Sequence, residues 1–156
     1  MGVLKSDLDK FVLELNAFTD KVLPENLVLF HKKLSLQVLR GVVMRTPVDT
    51  GRARGNWQLG VETVPTGEVT DFEKPQATSG EAGKKKRRPQ FNAVGKATFE
   101  RGLANLAALK PFSVVFITNN VPYIEPLENG HSKQAPNGMV KVTLEQVRTQ
   151  FATEVG

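Results

Sequence analysis

The chain has 156 residues, of which 40% are hydrophobic and 24% charged, with a formal net charge of +5 and no cysteine. That length suits one domain with a real core, and the missing thiols exclude disulfides, thiolate nucleophiles and thiolate metal sites. No apolar run is long enough to span a bilayer and no signal peptide is visible, so synthesis in the cytoplasm is expected.

Ser6, with Asp9 three residues on, predicts the start of a first helix. Leu8, Phe11, Leu15, Phe18 and Val22 give it one apolar stripe. Pro24 suits the first turn of a second helix, expected to reach about Arg45. Leu27, Phe30, Leu34, Val38 and Val42 form its stripe, widened by Val28, Leu36, Leu39 and Val43. A helix apolar over so much of its girth is expected to pack on more than one side: on helix one, on the sheet and on a neighbouring subunit. His31 on this helix reads as a surface or satisfied histidine.

The stretch Arg45-Thr46-Pro47-Val48-Asp49-Thr50-Gly51-Arg52-Ala53-Arg54-Gly55-Asn56-Trp57 reads as a hinge from helix to strand. Pro47 biases Thr46 away from the α region and should end the helix there. Asp49 offers a turn acceptor, and Gly51 tolerates positive φ. Trp57, Leu59 and Val61 then alternate on one face of a first strand.

Residues 65–92 lose periodicity and gain Gly, Pro, Ser, Thr and charge, which predicts a mobile polar loop from about 66 to 92 that orders on a partner. Within it lies Lys84-Lys85-Lys86-Arg87-Arg88. Setting those five aside leaves 16 of the 21 basic residues against 16 acidic ones, so the excess charge is local. A local run fits a solvated loop tip, a dock onto an acidic partner, or salt-sensitive contact with phosphates. No aromatics interleave it for base stacking.

A helix is expected from Lys96 to Lys110, stopped by Pro111. Phe112-Ser113-Val114-Val115-Phe116-Ile117-Thr118 predicts a strand with apolar residues on both faces, hence a central one. Residues 123–127, limited by Pro122 and Pro126, read as a short extended edge segment. Asn137 is the expected cap of a last helix whose buried face is Val140, Leu144, Val147, Phe151 and Val155. The fold class is α+β: a small, mainly antiparallel sheet packed against several helices, in a single domain over 1–156.

Catalytic readings find little support. Asp49-Thr50-Gly51 matches the aspartic-protease loop, but that chemistry needs two carboxylates sharing a proton, and the cation of Arg52 opposes sharing. Glu125, Glu128 and His131 match no compact metal spacing. No phosphate-binding glycine loop, nucleophile elbow or zinc-protease helix motif occurs. The expectation is a non-enzyme without cofactor or metal.

The run Thr46-Pro47-Val48-Asp49-Thr50-Gly51-Arg52 followed by Trp57 resembles the signature of the tail-completion, head–tail joining or neck proteins of tailed bacteriophages, the lambda minor tail protein Z-like family. Tyr123-Ile124-Glu125-Pro126-Leu127-Glu128-Asn129-Gly130-His131-Ser132, then Ala135-Pro136-Asn137-Gly138-Met139, is similar to a second stretch of that family. The resemblance covers most of the chain, least around residues 65–95. It implies a structural virion protein at the head–tail junction. Such proteins form a six-fold ring between the head-completion or connector protein and the tail-terminator or tail-tube protein, with DNA passing through the channel and no membrane contact. It also implies structural roles for Thr46, Pro47, Asp49, Thr50, Gly51, Arg52, Trp57, Tyr123, Glu128 and Gly130. The alternative from the residues is a small DNA-associated protein using Lys84, Lys85, Lys86, Arg87 and Arg88.

Overall fold

The computed structural model describes residues 2–17, 20, 21, 23–71 and 93–155, with side chains from 9 to 153. In order come α1 (Gly2–Ala17), α2 (Leu23–Arg45), α3 (Arg52–Gly55), β1 (Trp57–Val61), α4 (Ala93–Asn105), a 3-10 turn (Leu106–Ala108), β2 (Val115–Asn119), α5 (Ile124–Glu128) and α6 (Val140–Val155). The chain is thus an α+β domain with a small antiparallel sheet. The basic run and most of the expected loop lie outside the described residues.

Helix α2 is the spine. Pro24 sits in its first turn, and the helix stops one residue before Thr46-Pro47, as proline chemistry requires. Leu39, Val42 and Val43 on it are almost completely buried, in one core with Trp57, Leu59, Leu106, Leu109, Ala135 and Met139. Burying side chains of this size stabilises by about 1.5–3 kcal/mol each. Helix α4 packs on both α2 and β1. Its Gly102 faces Leu39 so closely that any Cβ there would overlap Leu39 Cδ2. Strands β1 and β2 pair antiparallel, with Leu59 opposite Ile117 and Val61 opposite Val115.

Helix α6 packs antiparallel on α2. Phe30 and Phe151 meet edge to face with centroids 5.2 Å apart at one end. At the other end Gly41 abuts Thr143. The buried face of α6 therefore includes Thr143 and Val147, while Leu144, expected inside, is exposed.

Four further expectations are corrected. Helix α1 begins at Gly2, ahead of Ser6, and its described side chains from Asp9 to Ala17 are all exposed, Leu13 at 69%. Among the described residues it does not form the expected layer on α2, whose main contacts are with α3, α4, α6 and β1. Among the described residues β2 has one neighbour, so it is not central. Its side chains are half-buried, with Val115 and Ile117 on the core. Residues 124–128 are helical rather than extended, because Pro126 falls in the first turn, where its missing N–H has no partner to lose. Finally, the carboxylate of Glu128, not Asn137, serves the start of α6.

Candidate functional site

The hinge is a closed hydrogen-bond circuit. Thr46, fully buried, donates from Oγ1 to Val42 O at 2.6 Å and accepts the Trp57 indole N–H at 2.7 Å. This lets an indole bury its one polar atom in the core. Gly51 has φ 83°, the left-handed value the turn demanded. The local side-chain acceptor there is Thr50 Oγ1, reached by the Arg52 N–H at 3.4 Å, rather than the expected Asp49.

The chain then makes the single helical turn α3, which the sequence reading missed. Arg54, only 5% exposed, reaches back with its guanidinium to Thr46 O (2.9 Å from Nη2) and Met44 O (3.3 Å). It thereby caps the carboxyl end of α2, where the helix dipole favours a cation. Burial pushes its pKa down from the ordinary guanidinium value, as it does for Arg101. Arg101 donates to Gly55 O at 2.7 Å, and Asn119 donates to Ala53 O at 2.7 Å. Asn56, also fully buried, donates to Arg52 O and Val69 O and accepts the Val69 N–H. These polar residues were indistinguishable from surface residues in the sequence, since burial of Arg and Asn is uncommon.

The segment 65–69 is pinned over the outer side of the sheet. Gln58 and Asn120 donate to Gly67 O, and Asn120 also to Pro65 O. Glu68 accepts from Arg52 Nε at 2.9 Å and Nη2 at 2.6 Å, which raises the arginine pKa further. The beginning of the expected polar loop is thus tied to the hinge.

The second motif builds the start of α6. Both oxygens of Glu128 accept helix N–H groups, from Met139 (2.8 Å), Val140 (2.9 Å) and Lys141 (3.0 Å). Burial works against its ionisation, but the three donors outweigh it and hold the carboxyl below its ordinary range. Gly138, at φ 79°, lies where any Cβ would collide with Glu128 O. Gly130, at φ 81°, faces Pro136 O in the same way. Glu125 and His131 are exposed.

The two motifs converge. The Val48 N–H donates to Gln134 Oε1 at 3.3 Å, and the Arg52 guanidinium lies 5.7 Å over the Tyr123 ring. Between them runs a groove of about 510 Å³, lined by Pro47, Asp49, Thr50, Gly51 and Arg52 on one side and Tyr123, Leu127, His131, Lys133 and Gln134 on the other. A smaller hollow of about 260 Å³ on the adjoining side joins Thr46, Pro47 and Arg54 to Gln134, Pro136 and Gly138. The groove offers both charge signs, an aromatic face and hydroxyls, a lining suited to holding a polar protein segment. Nine of the ten motif residues serve this junction or its supports: Thr46, Trp57 and Glu128 inside it, and Pro47, Asp49, Thr50, Gly51, Arg52 and Tyr123 along the groove. Gly130 shapes the loop behind them. Lys84, Lys85, Lys86, Arg87 and Arg88 lie outside the described residues. No family model, no curated protein and no solved structure matches the chain.

Proposed function

We propose that this chain is a structural virion protein of a tailed bacteriophage. It completes the tail and joins it to the head as a subunit of a six-fold ring at the neck, between a head-side connector and a tail-terminator or tail-tube ring. It carries no catalytic centre and needs no cofactor. The observation that supports this reading is the convergence of the two resembling stretches. They lie far apart in sequence, yet Arg52 of the first lies over the Tyr123 ring of the second and residues of both line one groove. The circuit through Thr46, Arg54 and Trp57 ties the hinge beside that groove to the core, which suits a surface that docks rings in register.

Assembly tests it. A phage lacking this gene product should accumulate filled heads and free tails separately, and supply of the wild-type chain should restore joining. Normal infectious particles without it would overturn the proposal. Replacing Lys84 to Arg88 with serine separates the DNA-associated alternative. On the structural reading, duplex DNA binding stays feeble, typically ~10⁻⁴ to 10⁻⁶ M at physiological salt, with or without the run. A tight affinity lost with the run would favour the alternative.

A further inference from the structure

We infer that a face built from the turn at 110–113 and the first turns of α2 joins two copies of this chain about a twofold axis. This face is separate from the motif groove and does not depend on the neck reading.

Phe112 is the knob. The Ser113 N–H donates to Lys110 O at 3.2 Å, closing a turn with Pro111 second and Phe112 third. Phe112 has φ 64°. Proline at the second position and a positive φ at the third define a type II turn, whose third position favours glycine. A bulky residue held there is strained, and strain of this kind clusters where a binding function uses it. Within its own chain the ring gains no burial in return. It is 86% exposed, the most exposed large apolar side chain among the described residues, and stands outside the core.

The hole lies beside it. Pro24, Glu25, Val28 and Leu29 of α2, with Pro111 of the turn, line an open hollow of about 420 Å³. Pro24 and Val28, like Glu25 and Leu29, are four residues apart and neighbours along the helix surface. There is room for a phenyl ring, since an apolar cavity of roughly 150 Å³ already holds benzene.

Pro111 belongs to both features: it precedes the knob and lines the hole. A face with an aromatic knob and an apolar hole side by side is complementary to a rotated copy of itself. That is what a twofold contact requires, because each residue pair across it occurs twice. The charges agree. Lys110 stands at the knob and Glu25 at the hole, both exposed, and among the described residues neither makes an ion pair within its own chain. Seating Phe112 in the hollow of the other copy brings Lys110 towards Glu25 of the partner subunit, and the symmetry repeats the pair. A foreign partner would use the knob or the hole; the two together, with opposite charges beside them, select a second copy.

Sedimentation velocity of the full chain across micromolar concentrations should show monomer and dimer in exchange. Phe112→Gly should weaken the dimer tenfold or more, yet raise the melting temperature at a concentration where the chain is monomeric. Those opposite signs separate an interface residue from a structural one. Glu25→Lys and Lys110→Glu should each dimerise tenfold or more weakly, because each sets like charges together twice. Mixed one to one, the two variants should pair, because the mixture restores both ion pairs; no role within a single chain produces that rescue. A monomer at every concentration, a dimer indifferent to Phe112→Gly, or charge variants that fail to pair on mixing would each overturn the inference. Assemblies larger than two that depend on Phe112 would overturn the twofold arrangement.

Discussion

Thr46→Val is the sharpest probe of the hinge. Valine has nearly the shape of threonine but offers no oxygen, so the buried Trp57 N–H loses the acceptor it now has at 2.7 Å. Leaving that donor unsatisfied costs about 1–3 kcal/mol. The bond from Oγ1 to Val42 O is lost as well, worth a further ~0.5–1.5 kcal/mol, although Val42 O still accepts the residue 46 N–H at 3.0 Å. A total loss of about 2–4 kcal/mol is expected. Trp57→Phe removes the donor instead and leaves a partial cavity, for about 1–3 kcal/mol. The double variant should be less destabilised than the sum, by ~1–2 kcal/mol, because the orphaned N–H exists in only one of the single variants. Urea denaturation followed by far-ultraviolet circular dichroism measures all four proteins, since Trp57 is the sole tryptophan and fluorescence vanishes with it. Additive losses, or wild-type stability in Thr46→Val, would refute the circuit.

Other outcomes follow from the same contacts. The carboxyl of Glu128 has a folded pKa below its ordinary value of 4.5. Its contribution should therefore be complete above about pH 4.5 and be lost as pH falls through the lower folded value. Glu128→Gln should lose about 0.5–2 kcal/mol at neutral pH, as cap losses do, and flatten the stability curve in that acid window. Gly51→Val should cost about 1–3 kcal/mol by thermal melting because φ is 83° there, and Asp49→Ala should cost much less, since Thr50 supplies the turn acceptor. Phe112 holds φ 64° while 86% exposed, so Phe112→Gly should raise stability by up to about 1 kcal/mol in the same melt.

The parts of this fold legible in the sequence were the local ones. Pro47 stopped α2 and Gly51 took positive φ because those preferences act within a few residues. The alternation from Trp57 to Val61 gave β1 its buried face for the same reason. What escaped was set by distant partners. Helix α3 is held by Asn119 and by the reach of Arg54 to Thr46, and no pattern within four residues announces it. The cap of α6 comes from Glu128, eleven residues before the first N–H it accepts, whereas Asn137 was the nearest residue with the right chemistry. The convergence of the two motifs into one groove was invisible for the same reason. The stripe of α1 promised burial, yet its described members Phe11 and Leu15 are exposed, because periodicity names an apolar face without naming what covers it.

Cryo-electron microscopy of assembled tailed particles containing this chain tests the central proposal most directly. A ring of copies should occupy the head–tail junction, each recognisable by the antiparallel pair α2 and α6, with the motif groove against a neighbouring protein. Finding the chain only at the distal tip of the tail, or nowhere in the finished particle, would contradict it.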